Sequence, residues 1–152
     1  MITLNVKAAI LFHRAAHISG QWSPSAFYFY LSLLFFLLNH DLDLSEREFQ
    51  AFAAAFQSIN RLIDAFRATL PPLSDLNPKQ SLTRAILLTH ALTDAASIKL
   101  HTIFSYADSA SKQNCVTAAR DMVSFGGLNL QEIGYINPIM GVSLLKCNRY
   151  SS

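Results

Sequence analysis

SLTRAILLTHALTDAASIKLHTIF, residues 81–104, decides how the rest of the chain has to be arranged. The stretch contains no Gly and no Pro, and most of its residues are good helix formers, so it predicts one helix of roughly 35 Å. Its charged residues are Arg84, Asp94 and Lys99, to which His90 and His101 add two titratable rings. Apolar and small residues occupy most of the circumference, as expected of a central helix packed on several sides. A narrow polar strip remains, formed by Thr83, His90, Asp94, Ser97 and His101 at spacings of seven, four, three and four. The small residues Ala91, Ala95, Ala96 and Ser97 let neighbouring helices approach closely.

The strip invites a chemical reading. His90 and Asp94 stand one turn apart, as two ligands of one ion do, but His101 lies roughly 10 Å beyond Asp94 along the axis. No third ligand at a matching spacing and no HExxH pattern is present. The strip therefore reads as a polar seam, either facing solvent or hydrogen-bonded to a neighbouring helix. GxSxG, P-loop and GxGxxG patterns are missing as well. Hence no catalytic, cofactor-binding or metal-ligating residue is assigned, no cofactor is expected, and the chain does not read as an enzyme.

Before the rod, SEREFQAFAAAFQSINRLIDAFRATL (residues 45–70) is the next clearest helix. Ser45 and Glu48 have capping-box spacing. Phe49, Phe52, Phe56, Ile59, Ile63, Phe66 and Leu70 alternate at three and four, a heptad seam that demands a long partner helix. Arg61, Asp64 and Arg67 fall off the seam and are expected in solvent. Pro71-Pro72 stops the helix, residues 73–78 connect, and Asn77-Pro78 is a cap-plus-proline start for the rod. The two helices are thus expected to form a long antiparallel hairpin.

At the N-terminus, residues 2–19 predict a helix with a stripe of Leu4, Ala8, Leu11, Ala15 and Ile18, opposite Lys7 and Arg14. Gly20 is placed to end it and Ser23-Pro24 marks a break. The apolar run within this helix is short and flanked by ionisable residues, unlike a signal peptide. AFYFYLSLLFFLL (residues 26–38) is almost wholly apolar but well short of the ~20 residues a membrane span needs, so a buried helix or a membrane-surface segment fits it better. Its Phe, Leu, Ser and Tyr are also what pyrimidine-rich intron sequence encodes, and residues 20–44 are treated as an insertion.

After the rod, residues 105–109 read as a loop in which Asp108 or Ser109 caps a helix over 110–125. Its expected stripe is Cys115, Ala119, Met122 and Val123, with Lys112 and Arg120 exposed, and Gly126-Gly127 ends it. A last helix begins at Asn137-Pro138 and reaches about Leu145, and residues 146–152 form an unstructured tail. The fold expected is all-α, one domain over residues 1–152, an irregular bundle of five to six helices built on the long hairpin.

Composition narrows the class. Of 152 residues, 51% are hydrophobic and only 14% charged, below the ~25% of an ordinary soluble domain. A face covered by a partner, or by further chain, is therefore expected. The net charge is +2 and its basic residues are scattered, which is unlike a nucleic-acid-binding stripe. Cys115 and Cys147 lie in no metal or disulfide spacing and read as reduced thiols of an intracellular protein.

Several segments together resemble the regulatory middle region of fungal zinc-cluster transcription factors. They are NVKAAILFHRAAHIS (5–19), FQSINRLIDAFRATLPP (56–72), LLTHALTDAASIKLH (87–101), CVTAARDMVSF (115–125) and YINPIMG (135–141), the carrying stretches of a likeness whose order and spacing extend over about two-thirds of the chain. The resemblance implies a helical domain in a nuclear regulator of transcription, with a protein partner or a small effector. That family reads DNA through a six-cysteine zinc cluster, which this sequence lacks, so neither zinc nor DNA binding is carried over. Residues 26–38 and the turn into GVSLLKCNRYSS after Met140 depart from the family pattern and imply a truncated or mis-spliced product. Two other classes remain as alternatives: a small-molecule-binding helical protein using His90, Asp94 and His101, and a membrane-associated protein anchored by residues 26–38.

Overall fold

The computed structural model describes residues 2–21, 42–72 and 81–124. Within them the chain is all-helical: α1 (Ile2–Gln21), α2 (Leu42–Ala68), α3 (Ser81–His101) and α4 (Ser109–Ser124). The segment 26–38, the connection 73–80, the helix expected from Asn137 and the tail 146–152 lie outside the described residues. Four helices are therefore described, against the five to six expected.

α3 is the centre of the assembly. From Thr93 to Ile98 every residue is buried, and Leu100 and His101 are buried as well. α1 lies closest against it, then α4, while α2 packs more lightly on both α1 and α3. The sequence points to α2 as the rod's principal partner, and the structure gives that place to α1. The reason is the small residues on both sides: Ala8 and Ala15 are wholly buried, as is Ala96, so the two backbones come close.

Two apolar clusters hold the helices together. In the first, Leu11, Ala15 and Ile18 of α1 meet Ile59 and Ile63 of α2 and Ala96 and Leu100 of α3. The second joins Leu87, Ala91, Ala95 and Ile98 of α3 to Ala118 and Met122 of α4, with Phe12 of α1 against it. Contacts fix the directions. Asn5 meets the Thr89 hydroxyl while Ile18 shares a cluster with Leu100, so α1 runs alongside α3. His101 meets Ser111, and the Cys115 thiol reaches the Ile98 carbonyl at 3.8 Å, so α4 runs back along it.

The α1 stripe is where the spacing put it: Ala8, Leu11, Ala15 and Ile18 are buried, Leu4 is half-buried, and Lys7 and Arg14 are exposed. The helix does not stop at Gly20 but continues to Gln21. In α2 the seam is graded. Ile63 is wholly buried, with Ile59 and Leu70 buried beside it, whereas Phe52, Phe56 and Phe66 are half-buried and Phe49 is 47% exposed. α2 also begins at Leu42, three residues before Ser45, which places Ser45 inside the helix rather than at its cap. Its C-terminus tightens as expected before two prolines: Thr69 N–H bonds Phe66 O at 2.9 Å and Leu70 N–H bonds Arg67 O at 3.1 Å.

α3 ends at His101, three residues short of the expected Phe104. Thr102 N–H still reaches Ile98 O at 2.9 Å, but Phe104 N–H bonds His101 O, three residues back, and the chain tightens into turns. Phe104 is held there by edge contacts with Phe52 and Phe56, ring centroids 6.0 and 5.1 Å apart. Asp108 is the cap of α4: its carboxylate accepts from Ala110 N–H at 3.3 Å and Ser111 N–H at 2.8 Å. The buried stripe of α4 is Ser111, Cys115, Ala118 and Met122. Ala119 is only half-buried and Val123 is 60% exposed, so the expected stripe is corrected by about a third of a turn.

Candidate functional site

The polar strip of α3 is buried almost throughout. Thr83, Asp94, Ser97 and His101 are each 4% exposed, and His90 is half-buried. The strip faces neighbouring helices rather than water, which settles the first alternative raised by the sequence. Three of its members reach across to α2 or the turn that ends it.

Arg67 Nη2 donates to Asp94 Oδ1 at 2.7 Å, forming a salt bridge. The Arg67 side chain is 36% exposed and that of Asp94 only 5%. Arg67 is therefore not a solvated off-seam residue: its guanidinium turns in to Asp94. Burial lifts the Asp94 carboxyl from its ordinary 3.8 to about 6, against the pull of Arg67, and Asp121 on α4 adds to the rise.

His101 sits between two helices. Nε2 lies 2.9 Å from Asn60 Oδ1 on α2 and 3.2 Å from Asn114 Nδ2 on α4, while Nδ1 lies 3.2 Å from the Ser111 hydroxyl. A neutral imidazole satisfies one of the Nε2 neighbours at a time, as donor to Asn60 or as acceptor from Asn114. The Ser111 hydroxyl rotates to match at Nδ1. The Phe56 ring closes the site edge-on at 5.4 Å. Burial holds the His101 pKa below its ordinary 6.5, more strongly than Asp64 and Asp108 raise it, and Arg67 lowers it further.

His90 Nε2 meets the Pro71 carbonyl at 3.0 Å. His90 and Asp94, the pair with ion-sharing spacing, thus go to separate partners on the α2 side. Among the described residues no group of three or more His, Cys, Asp or Glu is arranged to hold a metal. No buried side-chain nitrogen or oxygen among them lacks a hydrogen-bond partner. Chemically the arrangement is a set of satisfied interhelical bonds.

Asn60, Arg67 and Asn114 were not among the strip's expected partners, although the sequence holds a signal for two of them. Asn60, Arg67 and Pro71 are spaced seven and four; their partners His101, Asp94 and His90 are spaced seven and four in the opposite order. Matched spacings of this kind, on α3 and on α2 with the turn that ends it, mark an antiparallel ladder with a single register. No family model, no curated protein and no solved structure matches the chain.

Proposed function

We propose that this chain is a piece of the helical regulatory region of a fungal zinc-cluster transcription factor. In this reading it acts in the nucleus in transcription regulation, as a surface for a protein partner, for further domain chain or for a small effector. It catalyses no reaction and does not itself read DNA. The architecture proposed with it is a bundle of five to six helices in which α2 and α3 form an antiparallel hairpin.

One observation carries the reading. The segments with the family resemblance supply both sides of the ladder: Asn60, Arg67 and Pro71 come from residues 56–72, and His90, Asp94 and His101 from residues 87–101. Residue types that suggest chemistry in the sequence are thereby used for assembly, which favours a scaffold over a reaction site. Among the described residues, moreover, no helix is long and apolar enough to cross a membrane.

The test has two arms. Transcript and flanking genomic sequence are expected to place a six-cysteine cluster upstream in the same reading frame; a gene with no such cluster overturns the family assignment. The isolated chain is expected to show no sequence-specific binding in a selection from random duplexes, and enrichment of a defined site would overturn the division of labour.

A further inference from the structure

The two apolar clusters divide the helices unequally. The second joins α1, α3 and α4 and contains no residue of α2. Among the described residues α2 enters only the first, through Ile59 and Ile63 with half-buried aromatics around them. It also packs the most lightly of the three helices around α3. Among the described residues three polar contacts tie it to one place along α3: the Asn60–His101, Arg67–Asp94 and Pro71–His90 bonds.

We propose that α2 is a detachable helix, docked in one register by this ladder, and that its departure leaves α1, α3 and α4 packed. A slide of one turn along α3 would break all three bonds and leave the buried Asp94 and His101 without their α2 partners. Intermediate positions are therefore costly, and docking is all-or-none. Once α2 leaves, its partners Asp94 and His101 regain water, so opening strands no charge in an apolar site. The same groups that fix the register thus make the undocked state tolerable.

Hydrogen exchange on the full chain, read by mass spectrometry, tests this. Amides of residues 50–66 are expected to exchange at least about tenfold faster than those of 8–18, 91–100 and 115–122, because subglobal opening costs less than global unfolding. Asn60→Ala removes one rung from α2 alone and should speed exchange in 50–66 by a further ~5- to 10-fold. It should leave 8–18 and 115–122 within about twofold of the parent. One common rate for all four helices in the parent chain, or an equal acceleration of all four by Asn60→Ala, would overturn the proposal.

Discussion

Replacing Asp94 by Asn isolates the charge in the ladder. Asn keeps an oxygen for Arg67 to donate to but cannot ionise, so the variant loses the titration and little of the geometry. Burial raises the folded-state pKa from 3.8 to about 6. The folded chain therefore holds this proton where the unfolded chain has released it. Stability from this group is complete below about pH 4 and is lost as pH rises through 6. At ~1.4 kcal/mol per pKa unit the whole effect is on the order of 3 kcal/mol, of which about 2 kcal/mol falls between about pH 4.5 and about pH 7.5. Arg67 cannot cancel it, because a guanidinium 36% exposed keeps much of its own hydration and its attraction is screened. Urea unfolding followed by far-UV circular dichroism, at both pH values, gives the measurement. The parent should lose about 2 kcal/mol relative to Asp94→Asn on going from the lower to the higher pH. His101, whose lowered pKa acts in the opposite sense as pH falls below 6.5, is present in both proteins and drops out of the difference. A gap that stays constant within ~0.5 kcal/mol, or one that moves the other way, would refute the argument that burial outweighs the ion pair.

Two further substitutions probe the apolar core and a helix start. Ile63 is wholly buried among Leu11, Ala15, Ile59, Ala96 and Leu100, where the alanines are too short to fill the space, so Ile63→Ala should cost about 3–5 kcal/mol in urea unfolding. A loss below ~1.5 kcal/mol would mean the site collapses freely. Asp108→Ala removes the acceptor for Ala110 and Ser111, so amide exchange at those two positions should accelerate while the Cys115–Met122 turns change little; acceleration along all of α4 would show that the cap is not local.

Elements with strong periodicity were legible in the sequence. The α1 stripe could be read because Ala8, Leu11, Ala15 and Ile18 are apolar against charged Lys7 and Arg14. On α4 hydrophobicity points a third of a turn away from the buried stripe, which runs through Ser111 and Ala118. Hydrophobicity assigns neither to a core, while Val123, which it does assign, is 60% exposed. Boundaries failed for a related reason. Gly20 discourages a helix by only about 1 kcal/mol, and α1 runs one residue past it. At Phe104 the deciding force was a tertiary contact with Phe52 and Phe56 that no local pattern contains.

The α2 seam shows how far periodicity reaches. Three–four spacing correctly demands that Phe49 to Leu70 face something, yet it assigns the same weight to every step. In the structure Ile63 is sealed while Phe49 stands 47% exposed, and Arg67, outside the seam, makes the ion pair. An apolar stripe tells only which side turns inward. It leaves the axial position of one helix on another almost free, because sliding by a turn exchanges one apolar contact for another at small cost. A buried carboxylate and a buried imidazole remove much of that freedom, since a shifted register takes Asp94 and His101 away from Arg67 and Asn60. The strip of α3 and its spacing-matched partners on α2 therefore carry the information that the apolar pattern lacks. That makes Asn60 and Arg67, rather than the more conspicuous phenylalanines, the residues that say where α2 belongs.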